Sequence, residues 1–165
     1  MTSWTARPRE ERALLNPAFC AALLWRAANA RVRAESRPLS FEEAFLLLPL
    51  VLASSTRESL PARLTTALPI WLDRYPIQQR HLVVRSRALV PFTRAAILFG
   101  SLNGCLRVHA GCIQASTEWS AAIKRFERTA SAEVKQCAQR AAFVSKWFAN
   151  AGDAATVFAL MGVRP

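Results

Sequence analysis

Downstream of Asn16-Pro17, apolar residues recur at three- and four-residue spacing: Phe19, Leu23, Ala27 and Ala30, with Cys20 and Leu24 beside them, make one face. That period predicts a helix running to about Ala34. Asn16 offers an N-cap side chain, and Pro17 takes the first helical position, where its missing N–H costs nothing. Arg26, Arg31 and Arg33 lie off the apolar face or toward the C-terminal end, where cations suit the helix dipole. After Ser36-Arg37-Pro38, Ser40 and Glu43 have the spacing of a capping box. The run Phe41, Phe45 to Leu48 and Leu50 to Leu52 leaves almost no polar face and predicts a central second helix, with Pro49 removing one internal hydrogen bond and kinking it. A buried strand competes for this run, but leucine enrichment and the upstream cap favour helix.

Ser59 and Pro61 predict a third helix through Leu64, Leu68, Trp71 and Leu72, bent or split at Pro69. Pro76 opens a fourth helix to about Ala88, and Pro91 a fifth over Phe92 to Leu102. Asn103-Gly104 stops the helical pattern, and Leu106, Val108 and Ile113 around His109-Ala110-Gly111 read as a small β-hairpin. Ser131 is the candidate N-cap of a long helix over Ala132 to Asn150, with Gly152 as a left-handed C-terminal cap, and Asp153 starts a last turn or two. The expected fold class is mainly α, a single helical domain over 1–165 with a small β-hairpin and a winged-helix-like centre. Residues 1–12 read as a flexible N-terminal segment. There is no internal repeat, low-complexity tract or linker.

Composition agrees with a folded domain. The 165 residues are 52% hydrophobic and 20% charged, enough apolar surface to offset the entropy of ordering the chain. Lys and Arg total 22 against 11 acidic residues, a net charge of +11, which suits a polyanionic partner such as nucleic acid, or an acidic protein. Only three of those cations are lysines, Lys124, Lys135 and Lys146. GC-rich coding bias accounts for arginine over lysine, but not for the twofold excess over carboxylates.

The first twelve residues are polar and charged, with no apolar core of a signal peptide. The expectation is therefore a cytoplasmic protein whose thiols stay reduced, with no disulfide framework. The apolar run from Phe45 to Leu52 is far shorter than the roughly 20 residues a membrane-spanning helix needs, so no membrane partner is expected.

Candidate chemistry is sparse. His81 and His109 lie in different elements, away from any recognisable nucleophile turn. Cys105, His109, Cys112 and Cys137 could be imagined around zinc, but their spacing matches no C-x-x-C knuckle; small apolar thiols and a turn histidine are the plainer reading. Scattered glycines form no phosphate loop. Glu10-Glu11 lies in the N-terminal segment, and Glu42-Glu43 is spent on capping. No catalytic residue, cofactor or metal site is expected.

The basic residues bracket the hairpin, and a helix-turn-helix followed by a hairpin is the winged-helix order. The helix after Pro91 offers only Thr93, Arg94 and Ser101 as polar side chains, too few to read base edges. Phosphate contacts without sequence preference remain, and a solvated basic surface is the plain alternative. On charge distribution the DNA-contact candidates are Arg85, Arg87, Arg94, Arg107, Lys124 and Arg125. Among the tryptophans, Trp25, Trp71 and Trp147 fall on apolar stripes and read as core, whereas Trp4 and Trp119 lie in polar contexts and are the partner-binding candidates.

Several runs carry a family resemblance: Leu15 to Cys20, Phe45 to Leu52, Thr56 to Pro61, Val90 to Ala96, and Lys146 to Ala149 through Thr156 to Pro165. In order and together they resemble the middle component of bacterial three-component ABC systems over nearly the whole chain. The segment from Gly104 to Arg128 and Pro69 match poorly. The resemblance implies a small accessory subunit of a Lamassu-type anti-phage and anti-plasmid defence complex. Its partners would be an SMC-like ABC ATPase, which hydrolyses the ATP, and an effector subunit restrained until foreign DNA is sensed. It implies no catalytic residues for this chain. The expected role is thus a non-enzymatic bridge that contacts DNA directly or through the complex. The rivals are a winged-helix transcriptional regulator and a small hydrolase or nuclease using Glu42, Glu43 or His109.

Overall fold

The computed structural model describes residues 9–163, so Trp4 lies outside the described residues. A short helix α1 (Arg9–Leu14) occupies part of the segment expected to be flexible and leads into α2 (Pro17–Arg33). Asn16 Oδ1 accepts from the N–H of Ala18 at 2.8 Å, so the predicted cap forms. Cys20, Leu23, Leu24, Trp25, Ala27 and Ala28 are buried, and α2 is the axis on which the other elements pack. Next come a two-residue strand β1 (Leu39–Ser40) and the helices α3 (Ala44–Leu52) and α4 (Ser54–Ser59). The capping box is reciprocal: the N–H of Ser40 donates to Glu43 Oε2 at 3.0 Å, and the N–H of Glu43 to Ser40 Oγ at 3.2 Å. Leu46 through Leu52 are all buried, as a helix without a polar face requires.

The third helix departs from expectation. Leu60 and Ala67 are extended (ψ 142° and 147°), and residues 61–67 form turns. Pro69 therefore starts α5 (Leu68–Arg74) from its first turn, where a missing N–H is harmless.

The larger correction concerns the centre. The two helices expected on either side of Pro91 are one 27-residue helix, α6 (Pro76–Leu102). Pro91 sits on the exposed side, where water can satisfy the carbonyl freed one turn earlier, so the helix continues. The turn expected at Pro91 is absent, so the helix-turn-helix and the winged-helix-like centre built on it do not form.

The hairpin forms as predicted from β2 (Leu106–His109) and β3 (Cys112–Ala115), with positive φ at Ala110 and Gly111. The sequence did not suggest that β1 would join it: Leu39 pairs with Ile113 and Ser40 with Cys112, making an antiparallel sheet of order β1-β3-β2. Beyond a 3₁₀ turn (Thr117–Trp119) comes an unanticipated helix, α7 (Ser120–Thr129), then α8 (Ala132–Ala151) and α9 (Ala154–Met161). Ser131 and Asp153 cap α8 and α9. Gly152 has φ 132° rather than the left-handed helical cap expected; that conformation falls on Gly162, φ 69° and ψ 23°.

The fold is mainly helical with a small three-stranded sheet, all feeding one apolar core. No helix among the described residues is long and apolar enough to cross a membrane.

Candidate partner-binding surfaces

Much of the charge that looks available in the sequence is consumed inside the fold. Arg31, expected off the apolar face of α2, is fully buried. Its Nη2 donates to Glu43 Oε1 at 3.0 Å, its Nε to Ser145 Oγ at 2.9 Å and its Nη1 to the carbonyl of Arg37 at 3.1 Å. Arg37 adds a two-pronged contact to the same carboxylate, at 2.7 and 3.0 Å, and also donates to the carbonyl of Gly152. Burial lowers the Arg31 pKa, and Glu43 works against that shift. The Glu43 carboxylate is thus saturated by two guanidiniums and a backbone N–H.

Arg57 does the same on the other side. Its Nη1 donates to the carbonyl of Val51 at 2.7 Å, satisfying an acceptor at the C-terminal end of α3. Its Nε and Nη2 reach Gln136 and Glu133 near the start of α8, at 3.0 and 3.1 Å.

The six DNA-contact candidates are divided by the fold. Arg85 turns inward, donating to Thr56 Oγ1 at 2.8 Å and to the carbonyl of Pro49 at 3.3 Å, and burial lowers its pKa. Arg87 and Arg94 are exposed on α6, at the rim of a cleft of about 260 Å³ with Phe41, Phe45, Val90 and Phe158 in its lining. Arg107 is exposed on β2. Lys124 and Arg125 are exposed on α7, where Arg128 and Lys135 join them around a shallow basic depression. The carboxylate there, Glu127, is drawn to Arg26 at 3.2 Å.

Of the partner-binding candidates, Trp119 is half-buried and packs on the core. Trp25, Trp71 and Trp147 are buried as expected, each indole N–H donating to a backbone carbonyl, of Ser116, Ser59 and Thr66 respectively. The cysteines and His109 do not assemble: Cys105 and Cys137 are buried, Cys112 is half-buried on β3, and His109 is exposed at the hairpin turn. Among the described residues no group of three His, Cys, Asp or Glu is placed to hold a metal ion.

Four of the five most exposed large apolar side chains among the described residues, all but Val32 of α2, lie on one helix and give no signal in the sequence. Ile77, Val84, Leu98 and Leu102 stand on the outer side of α6. They become legible only once that helix is known to be unbroken, because their common face depends on a phase carried through Pro91.

No curated protein and no solved structure matches the chain. Residues 4–165 match the family described as ABC-three component (ABC-3C) system Middle Component 3. That match spans nearly the whole length and agrees with the runs at Leu15, Phe45, Thr56, Val90 and Lys146. The chain belongs to the Middle Component 3 family of ABC-three component systems.

Proposed function

We propose that this middle component is a non-catalytic bridge that holds the ABC ATPase of its system, of the SMC-like Lamassu type by resemblance, to an effector subunit. The observation that carries the reading is the outer face of α6, where four large aliphatic side chains are more than half exposed along one helix. Such a face is costly in water unless a partner covers it. Of the groups open to the hydrolase or nuclease alternative, Glu43 is not a free carboxylate, being locked between Arg31 and Arg37.

A direct DNA contact is a second part of the proposal, now centred on α7. Lys124, Arg125, Arg128 and Lys135 converge there while Glu127 is held by Arg26, a placement suited to phosphate contacts without base reading.

Co-expression of the ATPase and effector with and without this chain tests the bridge by size-exclusion chromatography with light scattering. The two are expected to co-elute only when the chain is present; co-elution without it, or elution of the chain alone, overturns the reading. For DNA, the triple variant Lys124→Ala, Arg125→Ala, Arg128→Ala in the assembled complex is expected to weaken duplex binding. The slope of log affinity against log salt should become shallower by roughly one for each phosphate ion pair that the substitutions remove. An unchanged salt slope removes the DNA part alone.

A further inference from the structure

The outer face of α6 has more order than an exposed apolar patch. Ile77, Val84 and Leu98 fall at multiples of seven residues, and Ala88, Ala95 and Leu102 form a second heptad series four residues out of step. Interleaved, and with the exposed His81 and Pro91 at the two remaining positions, the two series make the alternating 4–3 spacing by which one helix receives another. The large members are 64%, 70%, 60% and 78% exposed in chain order (Ile77, Val84, Leu98, Leu102), so nothing among the described residues covers the seam. Ala88 and Ala95 lie between them, small enough for another helix to approach closely. At 1.5 Å per residue the seam runs about 38 Å.

Charge selects the occupant. Arg80, Arg87 and Arg94 are exposed and seven residues apart, a ladder along one flank of the seam. The 27 residues of α6 contain no Asp or Glu. A second copy, laid antiparallel, would set Arg87 against Arg87 and Arg80 against Arg94; in neither direction could it offer α6 a carboxylate.

We infer that this seam is the docking site for an amphipathic helix of another protein, one whose apolar 4–3 stripe is flanked by Asp or Glu aligned with Arg80, Arg87 and Arg94. The inference deepens the bridging reading and rests on it for the existence of such a partner. Hydrophobic burial supplies the affinity of the contact, and the arginine ladder sets direction and register.

The probe is a labelled 28-residue helical peptide with leucine at 4–3 spacing and glutamate on its flanks, beside a twin with lysine on the flanks, titrated against the full chain by anisotropy. The glutamate peptide is expected to bind at least tenfold tighter than its twin. Val84→Gln with Leu98→Gln should weaken it at least tenfold with an unchanged circular dichroism spectrum, and Arg87→Glu with Arg94→Glu should reverse the preference. Equal binding of the two peptides, or of neither, overturns the inference. So does a dimer of the free chain, or adhesion to anionic phosphatidylserine vesicles or duplex DNA, that the Val84→Gln, Leu98→Gln pair abolishes. In the co-expressed complex the same pair should release one component and keep the other. If the complex assembles undisturbed, the seam is not the interface though bridging stands; if the wild-type chain joins nothing, bridging fails and the peptide titration alone decides the seam.

Discussion

Arg31 on α2 and Glu43 at the head of α3 form an ion pair 3.0 Å long with both side chains fully excluded from water. Removing the carboxylate leaves a buried guanidinium without its counter-charge, a change that costs about 3–5 kcal/mol. Glu43→Ala should therefore lower the urea midpoint sharply. Replacing both partners, Arg31→Met with Glu43→Leu, should cost less than Glu43→Ala alone, because Arg37 is 31% exposed and can turn to water. A double variant less stable than the single one contradicts this account of the pair.

The irregular stretch 61–67 is held from outside. Trp147 donates to the carbonyl of Thr66 at 2.7 Å, Trp71 to Ser59 at 2.8 Å and Arg140 to Pro61 at 3.0 Å. Trp147→Phe keeps most of the ring packing against Trp71 but deletes one of these ties, at a cost of about 1.5 kcal/mol. Limited proteolysis should show faster cleavage within 61–67, and an unchanged cleavage rate there would mean the indole bond does not restrain the segment.

Gly100, on the buried side of α6, lies against Leu106 of β2: a Cβ at that position would come within 2.6 Å of Leu106 Cδ1. Leu106 is 1% exposed and has little room to yield. Gly100→Ala should destabilise by about 1–3 kcal/mol through overpacking, and adding Leu106→Ala should recover part of that loss in thermal melts. Absence of any recovery would place the cost elsewhere.

Burial pushes the Cys20 thiol up to about 12, with Cys137 adding to the shift, and pushes Cys105 up to about 11. In the unfolded chain these thiols ionise near 9, so above that pH the unfolded state sheds protons that the folded state keeps. Stability is therefore fully present below about pH 9 and falls as pH rises toward the folded values. Each such thiol contributes about 1.4 kcal/mol of loss per pH unit in that window. Cys20→Ala should make the stability curve shallower than wild type between about pH 9 and 11 in guanidinium titrations; parallel curves would show that Cys20 is not the titrating group.

Much of the fold was legible where local chemistry and burial agree. The Asn16-Pro17 start, the Ser40–Glu43 box, the hairpin around Ala110-Gly111 and the Ser131 cap are each decided by residues a few positions apart. The errors fall where a local signal is ambiguous. Proline at 91 reads as a helix start, and only its place on the exposed side lets the helix continue. Arg31 and Arg85 read as surface cations, since nothing nearby in the chain reveals Glu43 or Thr56 waiting across the core.

The order of the residues alone thus determined the helical class, most caps, the central apolar helix and, through its runs, the family. Tertiary structure decided which charges remain free and which apolar residues lack a neighbour. Both depend on groups far apart in sequence: a guanidinium is paired or solvated, and a leucine core or interface, according to what the folded chain brings within a few ångströms.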